Sequence, residues 1–179
     1  KSNIIEFGSV PLLLTTALSI CNYDIIGCDI APERYSSSIK SLGIKVVKCN
    51  IEIEKLPFPD NSFDTVIFNE IFEHLRINPN FTLSEVLRVM KTNGIFMLSS
   101  PNLRSLNGIK NLLFKNRGSI GASNIYTTYK KLENIGHAGH VREYTTREII
   151  EFLQNIGFYI TRVLYRGGYK NIFSKICVE

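Results

Sequence analysis

The chain has 179 residues, of which 44% are hydrophobic and 21% are charged, and its formal net charge at pH 7 is +5. This composition excludes a disordered or low-complexity chain, and the length suits one domain with one hydrophobic core. No apolar run approaches the roughly 18 residues that cross a bilayer, so no membrane-spanning helix is expected.

The cysteines and the N-terminus bear on where the protein works. The four cysteines are far apart in the sequence and form no C-x-x-C pair, at Cys21, Cys28, Cys49 and Cys177. This spacing predicts thiols in a reducing compartment rather than a disulfide or zinc framework. No secretory signal pattern is present, so a cytoplasmic protein is expected. The chain lacks an initiator methionine and enters an apolar run almost at once, which favours a missing N-terminal segment.

Short apolar runs alternate with helical patterns along the first hundred residues. Strands are predicted over 3–7, 24–28, 45–48, 63–68 and 94–99. Several of these runs are apolar throughout, as expected of parallel strands that are covered on both faces. Helices are predicted over 11–20 and 32–42, each with a proline in its first turn. A third helix is predicted from a capping box at Thr82 and Glu85 through residues 86–90, with Asn93-Gly94 as its stop.

The last part of the chain predicts one more helix and a closing hairpin. Thr145 and Glu148 form a capping box, and Gly157 ends the helix that follows it. Residues 158–165 and 171–178 predict two strands joined through Gly167-Gly168. The whole pattern predicts an α/β fold, with a doubly wound, mostly parallel seven-stranded sheet that closes with an antiparallel hairpin.

One long polar segment, at about 103–142, interrupts this single domain of residues 1–179. It predicts only a short helix near 107–115, and a connection of this length is typical of a lid or a substrate-binding insertion. Residues 103–147 contain eight basic and two acidic side chains, whereas the rest of the chain contains thirteen basic and fourteen acidic ones. If the segment covers a substrate-binding site, its positive charge favours an anionic substrate. The alternative is that the segment is a solvated loop.

Motifs at the predicted strand ends follow one another in a recognisable order. They read I-I-E-F-G-S at 4–9, G-C-D-I at 27–30, L-P-F-P-D-N-S-F-D at 56–64, N-E-I-F-E-H-L at 69–75 and S-S-P-N at 99–102. Together they resemble the class I S-adenosylmethionine-dependent methyltransferases, in the type 11/23-like branch that methylates small molecules. The resemblance implies a Rossmann-like methyltransferase fold and S-adenosylmethionine as the cofactor.

The resemblance also implies which residues bind this cofactor. Glu6 corresponds to the acid near the methionine part, and Asp29 would accept hydrogen bonds from both ribose hydroxyls. Asn50 stands where the family often has an aspartate that contacts the adenine amino group, and it keeps an acceptor oxygen. The remaining predicted cofactor contacts are Gly8, Ser9, Ile30, Ile51 and Asn69.

The first loop departs from the family pattern of an acid followed by three alternating glycines. Only Gly8 remains, because Val10 and Leu12 occupy the other two glycine positions. A β-branched valine resists a positive φ, so the loop is expected to follow another path or to bind cofactor more weakly. In the extreme case the domain would be a degenerate, non-catalytic binding domain.

The sequence E-x-x-E-H admits two interpretations. On a helix Glu70, Glu73 and His74 would share one face and could converge on a divalent cation. The alternative is a structural element in which His74 makes a hydrogen bond near the site or acts as a general base. We favour the interpretation without a metal, because the sequence places no third imidazole there; His137 or His140 would supply one only if the polar segment folds back.

The sequence H-V-R-E-Y at 140–144 resembles a family element that lies over the mouth of the active site. It makes His140 and Arg142 candidate acceptor-binding residues together with Asn102, and it makes Tyr144 a candidate catalytic residue beside His74. The alternative is packing, with Tyr144 buried and Arg142 paired with a carboxylate.

The predicted function is transfer of a methyl group from S-adenosylmethionine to an oxygen or nitrogen atom of a small molecule. Two alternatives stay open, a non-catalytic domain of the same fold and an RNA methyltransferase. Nucleic acid is the less favoured partner, because no Lys/Arg-rich helix or RNA-binding motif is present. A nicotinamide-dependent oxidoreductase fits poorly, because the G-x-G-x-x-G fingerprint is absent.

Overall fold

The structure is a computed structural model that describes residues 2–115, 126, 130, 139–166 and 175–178. Most of the predicted polar segment, including His137, lies outside the described residues, as does the predicted turn at 167–168. The chain divides into two compact units: one contains the residues up to Asn69 and Ile77–Met97, and the other contains Glu70–Arg76 and the residues from Leu98 onward.

Parallel strands form the centre of the first unit. They are β1 (Asn3–Phe7), β2 (Asp24–Asp29), β3 (Lys45–Lys48), β4 (Phe63–Asn69) and the first part of β5 (Met90–Pro101). Their order is β3-β2-β1-β4-β5. In the parallel register Asn3 pairs with Asp24, and Glu6 lies opposite both Gly27 and Ile67. The carboxyl ends of these strands therefore meet at one edge of the sheet.

Apolar side chains bury both faces of the central strands. Ile5, Phe7, Val66 and Phe68 are all almost completely buried. The rings of Phe7 and Phe68 pack edge to face with their centroids 5.8 Å apart. This continuous burial is the reason that β1 and β4 are apolar runs rather than alternating ones, as the sequence predicts.

The helices of the first unit begin and end partly where the sequence predicts. They are α1 (Leu13–Ile20), α2 (Ser36–Leu42), which follows a 3₁₀ turn over Pro32–Tyr35, and α3 (Pro79–Val89). The capping box predicted at Thr82 is wrong, because the side chain of Asn78 caps α3 by accepting from the Phe81 N–H at 3.1 Å. Thr82 instead donates its hydroxyl hydrogen to the Ile51 carbonyl at 3.0 Å. The predicted end of this helix at Asn93-Gly94 is also wrong, because both residues lie inside β5.

The second unit contains α4 (Leu106–Lys115), α5 (Thr146–Ile156), β6 (Val163–Arg166) and β7 (Lys175–Val178). Strand β7 is antiparallel both to the last residues of β5 and to β6. The capping box at Thr145 and the helix end at Gly157 are confirmed.

The α/β, Rossmann-like class is confirmed, with a correction to its details. The sequence predicts a mostly parallel sheet of seven strands, whereas the parallel part of the sheet has five strands. The strand β6 begins later than predicted, because the Phe158 N–H still donates to the Leu153 carbonyl of the α5 cap at 3.0 Å. Residues 171–174 of the last predicted strand lie outside the described residues. Within the described residues no helix is long and apolar enough to span a membrane.

The described cysteines are free thiols, as the sequence predicts. Cys21 is exposed, whereas Cys28 and Cys49 are buried. A hydrogen bond joins the Cys28 and Cys49 thiols and, with burial, raises the pKa of Cys28 far above its usual range. The Cys28 thiol is therefore protonated near neutral pH, whereas the same hydrogen bond lowers the pKa of the Cys49 thiol.

Candidate functional site

Polar side chains follow the parallel strands of the first unit. Glu6 is the last residue but one of β1, Asp29 ends β2, Asn50 follows β3 and Asn69 ends β4. Because these strands are parallel neighbours, the four residues lie along the same edge of the sheet. The structure thus brings together the strand-end residues that the sequence nominates, and their binding roles remain predictions.

Glu6 is a buried acid with one hydroxyl partner. Its Oε2 accepts a short hydrogen bond from the hydroxyl of Thr15 in α1. Burial raises the pKa of the Glu6 carboxyl, and the Thr15 hydrogen bond opposes part of that increase. Thr15 is itself completely buried, so α1 fixes the position of this carboxylate. The Thr15 backbone N–H donates to this carboxyl as well, and a carboxylate has about four acceptor sites, so capacity remains for a cationic ligand.

The loop after β1 has two residues in the left-handed region of the backbone map. Gly8 has a φ of 62° and Leu12 has a φ of 72°, while Val10 stays outside the positive-φ region, where a β-branched residue is poorly tolerated. Leu12 therefore carries the left-handed turn at one of the family's glycine positions, and its side chain is only 2% exposed.

Ser9 and Gly27 show how closely this loop approaches β2. A Cβ atom on Gly27 would lie 2.5 Å from the Ser9 Oγ. The Ser9 N–H donates to the Cys28 carbonyl at 3.3 Å, but its buried hydroxyl oxygen has no hydrogen-bond partner within the described part of the chain. A buried hydroxyl without a partner is costly unless a ligand or water completes it.

Asp29 connects the loop to the end of β2. Its Oδ2 accepts from the Val10 N–H at 3.2 Å, and its Oδ1 accepts from the Ala31 N–H at 2.9 Å. A carboxylate has about four acceptor sites, so both oxygens keep capacity for two ribose hydroxyls. The next residue, Ile30, is 39% exposed and can cover an apolar ligand surface there.

Asn50 forms a turn after β3. Its Oδ1 accepts from the Glu52 N–H at 3.2 Å, and its own N–H donates to Glu54 at 2.9 Å. The side-chain oxygen that the resemblance assigns to the adenine amino group therefore already has a backbone partner. Ile51 is half-buried and Asn69 is exposed at the end of β4.

These residues fit S-adenosylmethionine by the chemistry of their side chains. A buried carboxylate with unused lone pairs suits an ammonium group, and a second such carboxylate suits a ribose. The orphaned Ser9 hydroxyl adds a donor or acceptor beside them. This fit rests on the chemistry of these side chains alone.

The E-x-x-E-H sequence in the second unit is not helical, which corrects the expected shared face. Glu70 has a φ of 54°, and its N–H donates to the Ser99 carbonyl at 2.9 Å. Its carboxylate accepts from the Ser99 hydroxyl, also at 2.9 Å. Only Phe72–His74 form a single 3₁₀ turn, so the i, i+3, i+4 argument does not apply to these residues.

Glu73 is the most unusual acid of the second unit. Its side chain is completely buried. Oε2 accepts from the Ser100 hydroxyl at 3.0 Å, whereas Oε1 has no hydrogen-bond partner in the described residues. Burial raises the pKa of Glu73 to about 7, the charge of Glu70 adds to the increase, and Ser100 and His140 oppose it.

His140 lies against Glu73, although the two residues are far apart in sequence. The Val141 N–H donates to the Glu73 carbonyl at 2.8 Å and holds the two segments together. The His140 Nε2 lies 3.9 Å from Glu73 Oε1, and its Nδ1 lies 2.9 Å from Oε1 of the buried Glu143. The His74 and His140 ring centroids are 5.0 Å apart. We call Glu73, His74, His140 and Glu143 the His–Glu cluster.

The other predicted residues of the second unit have structural partners. The Asn102 side chain is buried, and its Oδ1 accepts from the Arg104 N–H at 3.0 Å. Tyr144 packs on Phe72 at 4.7 Å between centroids, and burial raises the pKa of its phenol. Arg142 lies 4.9 Å over the Tyr144 ring and pairs with Glu148 at 2.7 Å. These contacts match the packing alternative and leave the predicted acceptor roles untested.

Sequence reasoning missed three contributors to these sites. Thr15 fixes Glu6, Ser100 fixes Glu73, and Glu143 fixes His140. Ser100 lies in the S-S-P-N motif and Glu143 lies within H-V-R-E-Y, so both residues belong to motifs that the sequence analysis had already identified. The pairing of these motifs is a long-range contact, which no local pattern reveals.

Comparison with known sequences gives one family and one relative. The profile of the methyltransferase domain family matches residues 5–98. A protein of Mycolicibacterium smegmatis, named a probable S-adenosylmethionine-dependent methyltransferase, is 40% identical over 50 residues. That match covers 28% of this chain and 19% of the relative, so the chain spans only a small part of the relative's length.

Solved structures share the fold. An S-adenosylmethionine-dependent methyltransferase from Aquifex aeolicus has a TM-score of 0.66 at 17% identity, over 99% of this chain and 80% of that one. The 1,6-didemethyltoxoflavin-N1-methyltransferase of Burkholderia thailandensis, solved with S-adenosylhomocysteine bound, has a TM-score of 0.66 at 14% identity, over 99% and 69%. At these identities the likeness shows the fold alone.

Proposed function

This chain belongs to the class I S-adenosylmethionine-dependent methyltransferases, and from that premise we propose that it methylates an oxygen or nitrogen atom of a small acceptor. The observation that carries the proposal is the pair of buried acids, Glu6 and Asp29, at the ends of adjacent parallel strands. Both acids keep lone pairs for a ligand with an ammonium group and a ribose.

The strand-end residues divide the binding of the cofactor among them. Glu6 accepts from the ammonium group, Asp29 accepts from the ribose hydroxyls, and the loop at Gly8 and Ser9 closes over the amino-acid part. Asn50, Ile51, Ile30 and Asn69 complete the adenosine and methyl-transfer side. When bound, S-adenosylmethionine supplies a methyl group made electrophilic by its sulfonium; the residues of the chain supply orientation and exclusion of water.

The second unit supplies the proposed acceptor-binding and proton-accepting groups. The acceptor atom loses a proton as it gains the methyl group, and His74 is the proposed proton acceptor. Tyr144 keeps its phenol proton near neutral pH because its pKa is raised, so it serves as a hydrogen-bond donor to the acceptor. His140, Arg142 and Asn102 are proposed acceptor contacts.

Calorimetric titration of the full chain with S-adenosylmethionine and S-adenosylhomocysteine tests the proposed function. We expect saturable binding of both, because the residues that fit the cofactor all belong to one unit and are fixed by hydrogen bonds there. No binding at millimolar ligand would contradict the enzyme assignment and favour the degenerate, non-catalytic alternative. Cofactor binding together with salt-sensitive RNA binding would favour an RNA substrate instead.

The charge of the acceptor is a separate part of the proposal. Arg142 and Arg147 are paired with Glu148 and Glu151, whereas Lys110 and Lys115 of α4 form no ion pair with another described residue. These two lysines therefore remain to attract an anion, and we propose an acceptor with a phosphate or carboxylate group.

Neutralising Lys110 and Lys115 tests this charge. The double variant Lys110→Gln/Lys115→Gln is expected to raise KM several-fold for an anionic acceptor and to leave kcat and cofactor affinity unchanged, since long-range attraction acts on the encounter. The measurement compares hydroxybenzoates with their uncharged methyl esters. Arg147→Gln is the matched control, and an equal change for the esters would argue against charge recognition.

A further inference from the structure

Two buried thiols lie side by side near the carboxyl ends of β2 and β3. Cys28 pairs with Val47 in the parallel register, and Cys49 follows two residues later, so both cysteine side chains lie on the same face of the sheet. The Cys28 S–H donates a hydrogen bond to the Cys49 sulfur. We propose that this thiol pair is a modification site, at which a hydroperoxide oxidises Cys28 and Cys49 to a reversible disulfide.

The contact between the two sulfur atoms distinguishes this pair from ordinary buried cysteines. A buried cysteine usually behaves as a small apolar side chain, and Cys28 is 1% and Cys49 is 2% exposed. The Cys49 N–H donates to the Asp29 carbonyl at 3.0 Å, which fixes the Cys49 backbone beside β2 and keeps its thiol against Cys28. The two thiols therefore meet without any rearrangement of the fold.

The two thiols differ in their reactivity. The hydrogen bond from Cys28 lowers the pKa of Cys49, whereas burial and Glu54 oppose part of that decrease. The same hydrogen bond, together with burial, raises the pKa of Cys28. Because the thiolate is the nucleophile, Cys49 is the thiol that attacks the oxidant and Cys28 is the thiol that reacts second.

The oxidation proceeds in two balanced steps. The Cys49 thiolate attacks one oxygen of hydrogen peroxide and breaks the O–O bond; Cys49 becomes a sulfenic acid, and the released hydroxide combines with the proton that Cys49 had lost. The Cys28 sulfur then attacks the Cys49 sulfur, the S–O bond breaks, and the Cys28 proton leaves with that oxygen as a second water molecule. The peroxide gains two electrons, and the two thiols lose two.

The disulfide would act on the neighbouring strand-end residues. A sulfur–sulfur bond is about 2.05 Å long, shorter than a contact between two thiols, so the end of β3 moves towards β2 when the bond forms. Cys49 is bonded to the Asp29 carbonyl, and the Cys28 carbonyl accepts from the Ser9 N–H at 3.3 Å. The movement therefore reaches Asp29, Ser9 and Asn50, which follows Cys49. The resulting loss of cofactor affinity rests on the proposed function, whereas the disulfide itself does not.

The first test is peroxide treatment of the full chain after removal of the reductant. The chain has four cysteines, and we expect the thiol count of the denatured protein to fall by two and its intact mass to fall by two hydrogen atoms. Dithiothreitol should restore both thiols. Cys21→Ser removes an exposed thiol and is the matched control, which should lose the same two thiols. Four remaining thiols, a disulfide between chains, or a bond that includes Cys21 or Cys177 would overturn the proposal.

Trapping of the sulfenic acid assigns the order in which the thiols react. Dimedone labels sulfenic acids, so the Cys28→Ser variant should be labelled at Cys49 after peroxide treatment. The Cys49→Ser variant should remain unlabelled at Cys28, because that thiol keeps its proton. Labelling of Cys28 alone would overturn the assigned order. The wild-type thiol count does not depend on these core variants.

The effect on the cofactor site is measured by calorimetric titration with S-adenosylhomocysteine before and after oxidation. We expect a loss of affinity of about tenfold or more, because displacement of Asp29 costs at least one hydrogen bond to a charged group. Reduction should restore the affinity, and Cys28→Ser should show no such loss. Unchanged affinity in a chain that contains the disulfide would overturn this consequence. Absence of binding to the reduced chain would instead contradict the proposed function and leave the thiol count as the test of the modification site.

Discussion

Replacing Asp29 with alanine is expected to lower the affinity of the chain for S-adenosylmethionine by about 100-fold or more. Hydrogen bonds to a charged group are worth about 1.5–3 kcal/mol each, so losing two ribose contacts removes at least about 3 kcal/mol. The variant also loses the acceptors for the Val10 and Ala31 N–H groups, so the loop after β1 loses one of its hydrogen bonds to β2. The measurement is calorimetric titration of the full chain.

Two further variants define what this result means. Asp29→Asn keeps an acceptor oxygen and should lie between the wild type and the alanine variant. Asp24→Ala removes an exposed acid from the opposite end of β2 and should leave the affinity unchanged. Equal affinities of wild type and Asp29→Ala, with both proteins folded, would show that the cofactor does not bind at this carboxylate.

Replacing Glu73 with glutamine is expected to stabilise the protein at alkaline pH and to have little effect in acid. The pKa of this buried carboxyl is about 7 in the folded chain, against an ordinary value of 4.5. Between these values the folded chain holds a proton that the unfolded chain has lost, so stability falls as the pH rises. The loss amounts to about 3 kcal/mol, and a glutamine, which does not titrate, avoids it.

The measurement is the free energy of unfolding in urea at several pH values between 4.5 and 8.5, in the presence of chelator. The advantage of the variant should grow as the pH rises and level off above about 7. His140, whose pKa is raised by Glu143 and further by Glu73, also loses stability as the pH rises. The part that depends on Glu143 is common to both proteins, and the part that depends on Glu73 is absent from the variant. Glu151→Gln is the control, and a difference that does not change with pH would refute the prediction.

Local patterns account for much of the fold. The bounds of β1 and β3 agree with the predicted runs, because each run is flanked by polar or turn residues. The capping box at Thr145 is correct because both reciprocal hydrogen bonds form. The start of α3 is predicted too late. Asn78 caps the helix and Pro79 begins its first turn, whereas Thr82, a few residues further on, also matches the sequence pattern of a helix cap.

Some site residues can likewise be placed from local patterns, whereas others depend on long-range contacts. The positions of Glu6 and Asp29 are predictable, because each lies near the end of a recognisable strand of a parallel sheet. The approach of His140 to Glu73 is not predictable, since it depends on the Val141 N–H that reaches the Glu73 carbonyl across a long stretch of chain. The non-helical backbone at Glu70 depends likewise on its distant partner, Ser99.

The left-handed turn at Leu12 has a consequence for how such a loop changes during evolution. A non-glycine residue in this conformation costs roughly 1–2 kcal/mol, but full burial of a leucine side chain returns about 1.5–3 kcal/mol. Reversion to glycine would remove the conformational cost but would also lose the burial energy of the leucine side chain, so it would not stabilise the fold. The substitution is therefore entrenched, and descendants of this chain should retain an apolar residue at position 12 long after the glycine pattern has been lost.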